Sequence, residues 1–361
     1  MVRLLLATLV LATAAPAWAQ APVAAAAEAP SPLTREQTAF ALDALDRALD
    51  AYIFPEKAQA ARAVLRKNRT RYLAIADKKA FAETMKAEVG AALDDKHFYV
   101  NTAFAPPAAR GGAPDMAAMA AAEAKIGFGL ASVRRLPGNV GYIDLRQFAG
   151  SEAAAPHLEA AMDLVQGTEA LIIDLRANRG GSGTAMDVLI GRLASTPIPR
   201  STLIWRRPDG GFERVTPETR SYPAEKRYDR PVFLLTANFT ISAAEAFAYQ
   251  LQVAGRATVV GETSRGGANP MNRPLFDLGA GMGAYVATGR SEHPVTKGSP
   301  NGVGVVPDVK TPPEEALAAA YRLALEHVRA PAGADPFARE LTRVKADPDA
   351  ELRRAFAASP S

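Results

Sequence analysis

Two short stretches carry residue types suited to acyl transfer. In "LLTANFTISAAEAFAY" (234–249) Ser242 stands where an apolar run gives way to helical periodicity, and Glu245 follows three positions on. This spacing is that of a capping box, in which the Ser oxygen takes a first-turn N–H and the Glu returns to the Ser N–H. The same place suits a nucleophile. A hydroxyl at a strand-to-helix turn sits beside free N–H groups whose partial positive charge can hold a developing oxyanion. In "DLRANRGGSG" (174–183) Gly180 and Gly181 can take backbone conformations closed to other residues and turn their N–H groups toward a point above a sheet. Each stretch alone also reads as ordinary turn structure, and catalysis would need a base besides. The chain holds four histidines, His97, His157, His293 and His327, and no cysteine.

Such residues need elements to hold them. The apolar runs "NVGYIDLRQF", "ALIIDLR", "PVFLLTA" and "ATVVGE" alternate with the helical stretches "AAAPHLEAAMDLVQG", "GTAMDVLIGRLAS" and "SAAEAFAYQLQVAG". This alternation predicts an α/β core with a mostly parallel sheet and crossover helices. In such sheets the working residues lie on loops beyond the carboxyl ends of strands, where "RANRGGSG" and "NFTIS" fall. From Thr34 to Leu93 the apolar residues recur at helical spacing, so a small helical domain precedes the core, and the fold class is α/β (α+β).

The segments "ALIIDLRANRGGSG", "FLLTANFTISAAEAFAYQL", "VVGETSRGGANP" and "GVGVVPDV", in this order and at these spacings, resemble the C-terminal processing (tail-specific) serine peptidase family from roughly Asn139 to Pro313. The resemblance implies a crotonase/ClpP-like core and Ser242 as nucleophile. It also implies an oxyanion hole made by the Ala243 N–H with one from Gly180 or Gly181. One branch of the family uses a lysine base in a G-x-x-(S/T)-x-G-K-G segment. The matching positions here run from Gly261 to Ala268, and Gly267 holds the lysine place. Arg265 is close by but cannot release its proton. Between His97 and Gly141 there is no room for the PDZ domain of that branch.

The chain is similar instead to the branch of the tricorn protease core and the interphotoreceptor retinoid-binding protein modules, which lacks a PDZ domain here and draws a histidine from a D-x-H segment after the helical domain. "LDDKHFYV" fits that segment, which implies His97 as acid and base, with His293 as its rival near the "GVGVVPDV" loop. His157 and His327 fall inside amphipathic helices. The branch's helper serine and glutamate correspond to Lys96 and Asn301, so Asn301, Glu245, Glu292 and Asp95 are the candidates to orient the imidazole. Gly266, Gly267 and Asn269 are expected along the substrate groove. Asp174 and Arg176 read as a strand-end pair that satisfy one another, and Asp308 as turn chemistry after Pro307.

The first residues set Arg3 before a short apolar run that closes on Ala17-Trp18-Ala19, a signal-peptidase pattern, so cleavage is expected between Ala19 and Gln20 and the location is periplasmic or secreted. The expected organisation is signal peptide 1–19, disordered tether 20–33, helical domain 34–110, linker 111–125, catalytic core 126–330 and helical tail 331–361. No later run is long and uncharged enough to span a bilayer, so no stable membrane insertion is expected after cleavage. The formal charge of +4 is interspersed. Its one basic run, Arg62 to Tyr72, has helical spacing and reads as a solvated face, so no nucleic-acid partner is expected. No cofactor and no metal site is expected, since no His/Asp/Glu cluster or nucleotide-binding loop has the required spacing. The expected partner is a peptide or unfolded protein. The alternative is a peptidase-fold module, weak or inactive in catalysis, that binds a hydrophobic ligand or peptide, for which the apolar "MAAMAAAEA" segment gives some ground.

Overall fold

Strong caps and apolar spacing produce three helices in sequence, α1 (Arg35–Ala48), α2 (Pro55–Tyr72) and α3 (Lys78–Leu93). Thr34 and Gln37 close a capping box on α1, Pro55 occupies the first turn of α2, and Asp77 caps α3. The computed structural model describes residues 32–106, 116–194, 196–330 and 335–357. The expected signal peptide therefore lies outside the described residues, as do nearly all of the tether and residues 111–115 of the linker. The basic run lies on α2, where Arg62 pairs with Asp46 and Asp50, Arg69 with Asp43 and Arg71 with Glu88.

After α3 the chain forms a short strand, β1 (Tyr99–Asn101), and then a helix, α4 (Met116–Ala124). This corrects the expected linker over 116–124. The stretch is nearly all Ala and Met, good helix formers, and the buried Glu123 anchors its end by accepting the N–H groups of Gly150 (2.7 Å) and Ser151 (3.1 Å).

The core begins with β2 (Leu130–Leu136) and β3 (Val140–Leu145), then α5 (Ala155–Val165), β4 (Ala170–Asp174) and α6 (Gly183–Leu193). A ribbon of β5 (Thr202–Arg206) and β6 (Phe212–Val215) precedes β7 (Val232–Thr236), α7 (Ala243–Val253) and β8 (Thr258–Gly261). The strands β9 (Phe276–Gly279), β10 (Met282–Tyr285), β11 (Gly289–Glu292) and β12 (Val309–Lys310) lead to α8 (Ala316–His327). The main sheet has the order β12-β8-β7-β4-β3-β2. Its strands are parallel except for the edge strand β2. Strands β4 and β7 are buried at every position, as continuous apolar runs of a doubly covered parallel sheet should be. Helices α5, α6 and α7 pack one face, and α8 the other.

The helical segment does not close its own core. Leu42, Leu45, Phe81 and Met85 are buried together with Leu278, Met282 and Ala284 of the β9–β10 hairpin, and β1 pairs with β10. The expected tail helix is two helices, α9 (Pro336–Ala346) and α10 (Pro348–Ala357), broken at Asp347-Pro348 because proline excludes the helical conformation before it. Their Leu341, Val344 and Leu352 pack beside Tyr321 and Leu325 of α8. No helix among the described residues is long and apolar enough to cross a membrane.

Candidate active site

Ser242 sits at the turn from β7 to α7 with φ 64° and ψ −127°, a conformation that L-residues other than glycine rarely adopt. Surrounding bonds hold this strain. The Ser242 N–H is shared between Gly267 O at 3.1 Å and Glu245 Oε2 at 3.0 Å. Thr240 Oγ1 donates to Leu175 O at 2.8 Å, which fastens the same turn to the end of β4. The capping-box positions are occupied, but only the glutamate limb has hydrogen-bond geometry, and Ser242 Oγ makes no ordinary cap bond. The two sequence alternatives, cap and nucleophile, therefore coexist: Glu245 closes the box on the Ser242 N–H, and Ser242 Oγ faces the Glu245 N–H without a full cap hydrogen bond.

Glu245 is fully buried and accepts three further donors, Ser264 Oγ (2.6 Å), Gly266 N (2.5 Å) and Gly267 N (2.9 Å). Burial raises its pKa, and these four donors pull the other way by favouring the charged form. Its role is to lock the Ser242 turn to the 264–267 loop rather than to orient a histidine.

Gly180 (φ 88°) and Gly181 (φ 136°) pass close to Ser242. A Cβ on Gly180 would lie 2.5 Å from the Ser242 Cβ, so no other residue fits there. Of the two amides the structure singles out Gly181. The Gly180 N–H donates to Asn178 Oδ1 at 2.8 Å, whereas no acceptor among the described residues takes the Gly181 or the Ala243 N–H. Gly181, Ser242 and Ala243 line one cavity of about 340 Å³, with Ala243 at the positive end of α7. Its other walls are chiefly apolar, including Met186, Leu203, Trp205, Ala246 and Met271. Ala268, Pro270 and Asn272 line it as well, whereas Gly266, Gly267 and Asn269, expected along the substrate groove, do not line this cavity.

His97 follows α3 and is buried. Its Nδ1 lies 2.8 Å from Asn269 O. A carbonyl can only accept, so Nδ1 carries the proton and Nε2 is left with its lone pair. The ring stacks on Tyr285 with centroids 4.0 Å apart, and Tyr285 Oη donates to the same Asn269 O at 3.0 Å. Burial lowers the His97 pKa from its ordinary value, against the smaller opposing pulls of the Asn269 bond and of Asp95. The imidazole is thereby kept neutral.

The orienting candidates divide. Asp95 accepts the His97 backbone N–H at 2.9 Å and the Tyr52 hydroxyl at 3.0 Å, so it fixes the segment and not the ring. Asn301 Oδ1 accepts the N–H groups of Ala268 and Asn269, each at 3.1 Å, and so acts through the loop that presents the Asn269 carbonyl. Glu292 is paired with Arg214 and Arg290 on β11 and has no part in the site, which corrects that expectation. His293 is buried against Tyr249, its Nδ1 accepting the Val295 N–H. His157 stacks on Phe128, and His327 lies beside Phe233.

No hydrogen bond joins His97 to Ser242. They meet through Gly267, whose carbonyl accepts the Ser242 N–H and whose Cβ, if it had one, would stand 3.4 Å from the His97 N and 2.9 Å from Ile241 Cδ1. The Ile241 side chain thus fills the space a lysine at position 267 would enter. Asp174 and Arg176 form the expected bidentate pair, with Tyr142 Oη on Asp174 and Arg176 on Pro313 O. Asp308 accepts the Val259 N–H at 2.7 Å and so holds the sheet edge. Among the described residues no group of three His, Asp or Glu could hold a metal ion. Sequence reasoning missed Asn178, although Asn two residues before a glycine is a turn signal. It also missed Tyr285 and the carbonyl of Asn269, for which no sequence signal exists.

The sequence model of the family described as "Peptidase family S41" matches residues 139–311. A carboxyl-terminal-processing protease of Synechocystis sp. is 35% identical over 158 residues, 43% of this chain and 34% of the relative. One of Picosynechococcus sp. is 32% identical over 176 residues, 48% of this chain and 40% of the relative. The chain thus spans well under half the length of these curated relatives. A solved structure of a candidate peptidase from Parabacteroides merdae shares the fold with a TM-score of 0.54 and 19% identity, over 81% of this chain and 97% of that one.

Proposed function

Taking residues 139–311 as a peptidase family S41 domain, we propose that the chain is an exported serine endopeptidase that hydrolyses peptide bonds through an acyl-enzyme. The observation that carries this reading is Ser242, strained and without a full cap hydrogen bond, beside the unbonded amides of Gly181 and Ala243 on an apolar cavity. Strain of this kind persists only where the surroundings enforce it, and it clusters at functional sites. Ser242 Oγ attacks the scissile carbonyl, and the two amides receive the oxyanion. His97 Nε2 takes the hydroxyl proton and returns it to the leaving amine, after which water resolves the acyl-enzyme by the same route. The cavity takes an apolar side chain on the acyl side of the bond. The substrate is an extended or unfolded peptide, and export follows from the expected signal peptide.

A second reading is a binding module with little or no catalysis. It is favoured by the missing Ser242–His97 hydrogen bond and by a ring partner that is a carbonyl and not a carboxylate. Reaction with a fluorophosphonate probe separates the two. A single adduct on Ser242 that is lost in His97→Ala supports the peptidase, and a folded protein that takes no adduct supports the module.

A further inference from the structure

The cavity beside Ser242 is not apolar throughout. Asp187 of α6 and Arg200, which precedes β5, are the two charged side chains in its lining. They pair at 2.8 Å, and the Arg200 side chain is 6% exposed against 26% for Asp187, so the carboxylate is the partner that reaches open space. Each guanidinium nitrogen has an acceptor: Nε donates to Gln250 Oε1 at 3.2 Å, Nη1 to Glu218 O at 3.3 Å and Nη2 to Asp187 Oδ1 at 2.8 Å. Gln250 is engaged at both ends, since its Oε1 also accepts the Ser201 N–H at 3.1 Å and its Nε2 donates to Ala246 O at 2.9 Å. Asp187 Oδ2 differs. It accepts no hydrogen bond among the described residues, and it lies 3.6 Å from where a Cβ on Gly183, another lining residue, would stand. The wall thus offers one carboxylate oxygen whose charge is matched by Arg200 but whose lone pairs are open.

The other walls say what would carry a donor to it. Trp205, Met186 and Met271 line the cavity, and an indole with two thioethers favours an aromatic ring over an aliphatic chain. The volume of about 340 Å³ falls within the range of small-ligand pockets, about 300–1,000 Å³, and leaves room for such a ring. A substrate ammonium or guanidinium would be desolvated there with no free countercharge, because Arg200 already holds the carboxylate. A substrate carboxylate would meet Asp187 as a like charge. A neutral donor at the tip of a ring carries neither cost. We propose that Asp187 is a specificity-determining residue that accepts the phenol hydroxyl of a tyrosine on the acyl side of the scissile bond. The proposal rests on the peptidase reading for the place of that tyrosine in the substrate, although binding of the phenol itself does not need turnover.

The test uses fluorogenic peptides that differ only in the residue on the acyl side of the bond, which is Tyr, Phe, Leu or Lys. The expected kcat/KM for Tyr is about tenfold or more above that for Phe, as a hydrogen bond to a charged acceptor allows, and above those for Leu and Lys. Equal rates for Tyr and Phe, or a Leu or Lys peptide cut faster than the Tyr peptide, would overturn the proposal. Asp187→Asn keeps an oxygen for Arg200 and turns the open acceptor into a donor, so the Tyr-to-Phe ratio should fall toward one. An unchanged ratio overturns the assignment to Asp187. Where that variant does not fold, Asp187→Leu with Arg200→Met replaces the pair by apolar groups, leaves no orphaned charge and should bring the ratio to one as well. Where no peptide is cleaved, calorimetric binding of the Tyr and Phe peptides to Ser242→Ala takes over. Tighter binding of the Tyr peptide supports the phenol site while the peptidase reading fails, and equal binding overturns the site.

Discussion

The proposed nucleophile and its proposed oxyanion donors come from adjacent strands of one sheet, whereas the proposed base comes from outside it. Ser242 follows β7 and Gly181 follows β4, which pair in parallel register from Leu171–Val232 to Asp174–Leu235. The turn after β4 takes its positive φ angles on glycines, which adopt them freely, and Asn178 holds it, whereas the turn after β7 forces Ser242 into such a conformation, and Thr240 and Glu245 enforce it. His97 arrives on the α3–β1 connection, which turns at the left-handed Asp94 (φ 47°), and its ring is set by stacking and a single ring hydrogen bond. One region stores strain to fix a position, and the other uses burial to fix a protonation state.

The largest test of this contrast is loss of either reacting group. Ser242→Ala and His97→Ala should each lower kcat by about 10⁶-fold, measured with the best cleaved peptide, because members of such a unit are not additive. Full activity in either variant removes that residue from the mechanism. Gly180→Ala comes next, since its methyl would press on Ser242 and its φ disfavours any side chain. It should cost about 10²-fold or more in kcat and about 1–3 kcal/mol in stability, read by denaturant unfolding. Ser242→Gly should relieve strain and raise stability by about 1 kcal/mol while abolishing turnover. His97→Gly should give no such gain. If both variants destabilise alike, the two regions are not built differently.

The same contrast explains what was legible in the sequence. The parallel strands and crossover helices announce themselves as apolar runs and helical periods, and the turns after β4 and β7 as paired glycines and Ser-x-x-Glu. Those signals are local. Strand β2, "LASVRRL", is an amphipathic edge with only Leu136 buried, and β9 and β10 are short and glycine-rich, so neither carries an apolar run. The hairpin matters all the same, because it completes the core under the helices that deliver His97. Which of Gly180 and Gly181 offers its amide depends on one side chain, Asn178. The partner of the His97 ring is a backbone carbonyl placed by Asn301, and backbone partners leave no mark on residue type.

The smallest expected effect lies on the base, and it is a displacement along the pH axis. Burial lowers the His97 pKa below its ordinary 6.5, so the neutral ring persists at pH values where a solvated histidine is charged. The acid limb of kcat/KM should therefore fall below pH 6.5. The sign for stability is the same. Above the unfolded value neither state binds the proton, and below it the unfolded chain takes up a proton that the folded site refuses, so stability is lost as pH falls from about 6.5. Tyr285→Ala uncovers the ring and removes one hydroxyl from Asn269 O. It should move the acid limb upward by about half a unit to one unit, by restoring water to the charged form. Tyr285→Phe keeps the stack and should leave the limb nearly in place. If the two variants move it equally, the shift comes from the hydroxyl and its carbonyl partner, and burial is not what holds the base neutral.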